Sequence, residues 1–226
     1  MRAAWGEPGE LDRLRSATVE ARRAYFHTLG EPDPDVWLAL VNPVLGEEPA
    51  WPGRPAWQRI RTAGQTTIVS SGLTDPFPSA DGPNLGHGIE VALVTKDAMT
   101  RDLEPCWLLE LAQELSYQAA RDARFHLRYA KFGMFLMGVH NASSVYESWA
   151  DEGGTMGFLL GLPTPSVPTA IPLPIGTATL LVAKLLTPAE YAFVAAHGVS
   201  GARHLVERFA VDGTDHGSSL DRRSVI

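Results

Sequence analysis

A chain of 226 residues with 45% apolar, 20% charged and 8% aromatic side chains has an ordinary globular composition, which excludes collagen-like, disordered and disulfide-scaffold classes. Its formal charge of −7, from 26 acids against 19 bases, argues against the basic stripe that nucleic-acid binding requires. A single cysteine excludes an intramolecular disulfide.

The N-terminal stretch Met1 to Arg15 carries Glu7, Glu10 and Asp12 and no continuous apolar core, so it does not read as a signal peptide. No stretch approaches the ~18–20 apolar residues that span a bilayer. The expected location is cytoplasmic, with no membrane partner. Leu11, Leu14, Thr18, Ala21 and Tyr25 recur at three- and four-residue steps, with Arg13, Arg15, Glu20, Arg22 and Arg23 largely between them. That spacing predicts an amphipathic helix closed by Gly30.

Glu31-Pro32-Asp33-Pro34-Asp35 reads as a turn ahead of an apolar run from Val36 to Val41, which fits a short helix or a strand equally well. Pro43 to Pro55 is irregular. Trp57–Thr62 and Thr66–Ser71 are β-rich runs joined by Ala63-Gly64-Gln65, a three-residue hairpin connection. A long loop from Gly72 to Gly88 follows, then a strand from Ile89 to Lys96 that carries Glu90.

Pro105 to Arg121 has Leu108, Leu111, Leu115 and Ala119 on one face, with Pro105 suited to the first helical position. Cys106 in this setting reads as a buried, inert thiol; a nucleophile would need a histidine brought to it in space. Phe132–His140 and Met156–Leu162 read as buried strands around a polar stretch from Asn141 to Gly154. Five prolines between Leu162 and Gly176 suggest an extended surface connection within one domain, followed by a strand over Thr177–Leu186.

Thr187-Pro188-Ala189-Glu190 is a capping box, in which the Thr hydroxyl takes the Glu190 amide and the Glu carboxylate reaches back. Its helix runs to His197 and Gly198 ends it; Ser200 then caps a second short helix presenting Leu205, Val206 and Phe209. The domain is read as 1–211. Residues 212–226 are rich in Asp, Gly, Ser and Arg and read as a disordered tail.

Catalytic signatures are sparse. Histidines 27, 87, 126, 140, 197, 204 and 216 make no HExxH pair, and the lone cysteine removes thiolate zinc sites, so no metal or cofactor is expected. His126 and His140 read as half-buried strand residues. Neither a GxSxG elbow, a P-loop nor a GxGxxG is present. The acids Asp75, Asp81 and Glu90 lie close enough in sequence to converge, although loop aspartates more commonly bond their own backbone.

The turn Ser70-Ser71-Gly72-Leu73-Thr74-Asp75, the strand Gly88-Ile89-Glu90-Val91, the helix Trp107-Leu108-Leu109-Glu110-Leu111 and the helix start Leu186-Thr187-Pro188-Ala189-Glu190 occur in that order. Together they resemble the Suppressor-of-fused-like domain, especially its bacterial members, over roughly residues 36–210. The resemblance implies an α+β (mixed α/β) fold, a single domain with a twisted, mainly antiparallel sheet and flanking helices. It also implies a binding protein without a catalytic centre, akin to bacterial immunity proteins that neutralise toxin domains.

Under the resemblance Gly72 relieves backbone strain in the turn, Asp75 bonds nearby amides, and Trp107 anchors its helix to the sheet. Thr187 and Glu190 are architectural. Glu90 must be solvated or paired, either in a salt bridge or facing a partner.

The first functional expectation is therefore a non-catalytic module binding another protein, such as a basic toxin domain, with Asp75, His87 and Glu90 as candidate partner-facing residues. The alternative is a hydrolase or small-molecule enzyme using those three side chains in the 72–90 loop and strand. A third possibility is an adaptor presenting Leu162–Pro174 as a Pro-rich ligand strip.

Overall fold

The computed structural model describes residues 9–39, 51–79, 81–97, 106–122, 125–140, 144–164 and 167–226. Alternation along two central strands decides the layering. In β4 (Ile89–Thr95), Ile89, Val91 and Leu93 point to one side while Glu90, Ala92 and Val94 point to the other, and all six are buried. In β8 (Gly176–Leu186), Leu181, Ala183 and Leu185 share the first side, and Leu180, Val182, Lys184 and Leu186 the second. Strands apolar on both parities need cover on both faces.

The cover comes from helices. On one face α2 (Trp107–Arg121) packs Leu108, Leu111 and Leu115 against Ile68, Val91, Leu93 and Leu181. On the other, α1 (Glu10–Leu29) sets Tyr25 and Phe26 on Val69, Ala92 and Val182, and α4 (Pro188–Asp212) sets Val194, Leu205 and Phe209 on Leu159 and Leu186. The remaining elements are β1 (Glu31–Leu38), β2 (Ala56–Thr62), β3 (Gln65–Ser71), α3 (Phe125–Phe132), β5 (Phe135–His140), a 3-10 helix (Ser144–Trp149), β6 (Thr155–Leu160) and β7 (Ala170–Leu173). The sheet order is β1-β2-β3-β4-β8-β6-β5, with β7 paired alongside β8. Every pairing is antiparallel except that of β4 with β8. The protein is thus a single α+β domain built on one mixed sheet, as the sequence predicts. Among the described residues no helix is long and apolar enough to cross a membrane.

Several local expectations are corrected. The Glu31–Asp35 segment is not a turn but the start of edge strand β1, whose register shifts between Pro32 and Val36. Proline is tolerated there because an edge strand need not donate on its outer side. The hairpin connection is two residues, Ala63-Gly64, since Thr62 pairs with Gln65. Phe132 closes a helix rather than opening a strand, and His126 is an exposed residue of that helix.

The Pro-rich segment is not a plain connection. Its second half is β7, which turns through Pro174-Ile175 into β8 and buries Ile171 and Leu173, so that half is no free ligand strip. Pro105, most of the irregular 43–55 stretch, the end of the Val36–Val41 run and the start of the 141–154 polar stretch lie outside the described residues. In α4, helical geometry breaks at Gly198 as read from sequence, but the Ser200 hydroxyl donates to the His197 carbonyl (2.8 Å) instead of accepting an amide.

The largest correction concerns 212–226. This segment lies along the end of the sheet as a strap. Ser218 forms a parallel bridge with Thr95, its N–H donates to the Val94 carbonyl (2.7 Å), and its hydroxyl accepts the Leu185 N–H (3.0 Å). Low apolar content does not leave it loose, because its polar groups satisfy strand groups that would otherwise be buried unpaired.

Candidate functional site

Glu90 is the second residue of β4 and has 0% exposure. Its Oε1 accepts from the Gly72 N–H (3.0 Å), the Thr74 N–H (3.1 Å) and the Thr74 hydroxyl (2.7 Å). Oε2 accepts from the Ser70 hydroxyl (2.5 Å), whose oxygen in turn accepts the Val91 N–H (2.8 Å). The β3–β4 ladder pairs as far as Val69 with Ala92, and at the next step a side-chain hydroxyl replaces a ladder carbonyl. The chain is thereby free to turn away at Ser71.

Arg22 enters this turn from α1. Its Nη1 donates to Asp75 (2.6 Å) and to the Thr74 oxygen (2.9 Å), and lies 3.8 Å from Glu90 Oε1; Nε donates to Ser71 Oγ (3.2 Å). Burial raises the Glu90 carboxyl above its ordinary range, while the Arg22 charge and the Ser70, Thr74 and Gly72 donors pull it back without cancelling burial. Two glycines allow the loop its path. Gly72 has φ +125°, and at Gly86, φ +60°, a Cβ would lie 2.4 Å from the carbonyl oxygens of Leu73 and Asp75.

The structure therefore joins two of the three candidate partner-facing residues and separates their roles. Glu90 is corrected from a partner-facing acid to an interior one, and no incoming group reaches it. Asp75 is partly buried and ion-paired to Arg22, and its backbone N–H donates to the Gly72 carbonyl (3.2 Å). His87 takes another direction: its N–H donates to the Leu73 carbonyl (2.7 Å) and its ring meets Phe77 edge-on at 5.0 Å. Trp107 is partly buried against the α2-side core, and Thr187 with Glu190 forms the reciprocal cap (3.3 and 2.9 Å).

The Arg22 network opens onto a groove of about 530 Å³ between α1 and β1. Val19 and Val36 form apolar walls at 41% and 42% exposure, with Arg22 and Gln58 beneath them. The irregular part of β1 is held rigid. Gln58 Nε2 donates to the carbonyls of Asp33 (2.8 Å) and Asp35 (3.4 Å), and the Asp33 carboxylate is held by Arg59 and by Arg61 (2.8 Å).

Arg22 escaped the sequence reading, which set it among the polar positions of α1. A signal was present: Thr18, Arg22 and Tyr25 share one helical face, and all three are buried. Among the described residues no group of three or more His, Cys, Asp or Glu side chains is placed to hold a metal ion. No protein-family model matches this chain, and no curated protein does.

Proposed function

We propose that this chain is a non-catalytic protein-binding module of the bacterial immunity type, acting in the cytoplasm by covering a toxin domain, as its resemblance to the Suppressor-of-fused-like family implies. The observation that carries this reading is the rigid groove between α1 and β1, where Val19 and Val36 stand exposed above side chains already fixed by hydrogen bonds and ion pairs. Preorganised apolar surface of this kind gains free energy when covered and loses little side-chain entropy in the process. A net charge of −7 favours a basic partner by long-range attraction.

A hydrolase built on Asp75, His87 and Glu90 would need Glu90 to reach a substrate, and its carboxylate is fully buried. The binding reading is tested by coexpressing the chain with toxin-like proteins encoded beside it and scoring growth. Rescue is expected from the unaltered chain, and Val19→Glu/Val36→Glu, folded by circular dichroism, should fail to rescue. Equal rescue by that variant would remove the groove from the interface. No rescue from any neighbouring toxin-like protein would count against the immunity reading itself.

A further inference from the structure

The two edge strands of the sheet differ in how open they are. β1 carries Pro32, Pro34, the acids Glu31, Asp33 and Asp35, and a shift of register, all features that hinder a further strand from pairing. β5, at the far end, has none of them. Its sequence Phe-Leu-Met-Gly-Val-His holds no proline and no Lys, Arg, Asp or Glu. It pairs in unbroken register with β6, from Phe135 opposite Leu160 to His140 opposite Thr155. Among the described residues nothing hydrogen-bonds to the outer side of β5. α3 packs on this strand, with Phe125 edge-on to Phe135 at 5.1 Å, and leaves Leu127 53% and Phe132 48% exposed. A regular, unprotected edge about 20 Å long, flanked by exposed apolar side chains, is a template for another strand.

Charge decides which strand fits. Near the Phe135 end stand Arg128, ion-paired to Asp122 (2.8 Å), and Lys131, exposed and 5.0 Å from the Phe132 ring centre. At the His140 end is the turn that leads into β6, where Asp151 accepts the Gly153 and Thr155 N–H groups (2.9 and 2.8 Å) and Glu152 is exposed. The edge thus has a free cation at its start and a free anion at its finish. We infer that the outer edge of β5 pairs antiparallel with the β5 of a second copy of this chain. Pairing about a two-fold axis sets the Phe135 end of each strand beside the His140 end of the other, so Lys131 meets Glu152 of the second copy at both ends. A uniformly acidic or uniformly basic strand would suit one end and oppose the other. Residues opposite each other in an antiparallel pair turn their backbone groups both toward the partner or both away, so the axis passes through Met137 or Gly138. That axis is normal to the sheet. It sets the two α3 helices side by side on one face, where Leu127 and Phe132 of each copy gain apolar cover from the other. The groove between α1 and β1 lies at the opposite end of the sheet and stays open in both copies.

The test uses the full chain in sedimentation equilibrium, with amide hydrogen exchange read at low and high protein concentration. The unaltered chain should move from one chain mass to two as concentration rises, and the amides of 135–140 should gain protection with it while those of 31–38 do not. Lys131→Glu and Glu152→Lys, both at exposed positions, should each weaken the dimer about tenfold by setting like charges together at both ends. The double variant, which exchanges the two charges, should recover the original affinity to within about threefold. The proposal is overturned if the unaltered chain stays a monomer at about 200 μM, where even a weak specific dimer is populated. It is equally overturned if a dimer forms and the protection falls on 31–38 in place of 135–140. Both of those outcomes are read without any variant, so a misfolded substitution cannot obscure them.

Discussion

Glu190 and Arg222, thirty-two residues apart, form a buried two-pronged ion pair: Nη1 to Oε1 at 2.7 Å and Nη2 to Oε2 at 2.5 Å. The same carboxylate accepts the Thr187 N–H (2.9 Å) and the Val225 N–H (3.0 Å). One side chain thus begins α4 and fastens the end of the chain to it. Arg222 also donates to the Leu185 carbonyl (2.7 Å), so the strap is joined to β8 through the same guanidinium.

Arg222→Ala should therefore cost far more than a surface ion pair. It leaves Glu190 buried without the guanidinium that pairs both of its carboxylate oxygens, a situation that costs about 3–5 kcal/mol. Urea denaturation against the unaltered protein measures this. A loss under about 1 kcal/mol, the range of an exposed pair, would mean that the strap does not hold Glu190 in solution.

Lys184 gives stability a rising limb on the alkaline side. It is fully buried beneath the strap, donates to the Gly217 carbonyl, and its Nζ lies 4.3 Å from the Phe209 ring centre. Burial, reinforced by the Arg222 charge, lowers its pKa from 10.5 to about 7. Below about pH 7 the folded and unfolded chains both hold this proton. Between about 7 and 10.5 the unfolded chain holds a proton that the folded chain has released, so this group's contribution to stability increases with pH across that window. Denaturation midpoints at pH 6.5, 8 and 9.5 should climb, and Lys184→Met should flatten the climb. A flat profile in the unaltered chain would refute the assignment.

Acid acts through Glu190 in the opposite sense. Burial pushes its carboxyl up, but hydrogen bonds and charge from Arg222, with the Thr187 and Val225 amides, outweigh burial and hold it below the ordinary value of 4.5. Its contribution is complete above that value and is lost as pH falls through the folded-state pKa. As pH falls below 4.5 the strap should become protease-sensitive before the sheet unfolds, with the first cleavages falling within 213–226. Cleavage appearing first in β3 or β4 would contradict this order.

Glu90→Gln should cost about 1–3 kcal/mol, because four donors now face a group with one acceptor oxygen and one amide. Gly86→Ala tests the same loop by sterics and should exceed Gly82→Ala in cost. Both glycines have positive φ, but a Cβ at Gly82 meets nothing within 4 Å, whereas at Gly86 it meets two carbonyl oxygens at 2.4 Å. Equal costs for the two alanine variants, measured by thermal denaturation, would mean that the loop takes another path.

Local pattern was enough wherever one segment determines its own shape. The period of Leu108, Leu111 and Leu115 placed α2, the β-rich runs placed β2 and β3, and the Thr187–Glu190 spacing placed the start of α4, because helix periodicity, strand alternation and capping act over a few residues. The sheet order, the burial of Arg22 and the strap were decided by the tertiary structure. Arg22 lies on the helical face of Thr18 and Tyr25, but an arginine on such a face stays buried only with a partner, and the arrival of Asp75 and Glu90 from another part of the chain makes its burial favourable. The 212–226 segment has too little apolar surface to fold by itself; the ends of the central strands β4 and β8 supply the backbone groups, and Glu190 and Lys184 the buried charges, that hold it. Composition weighs what a segment carries, and these partners belong to residues elsewhere in the sequence.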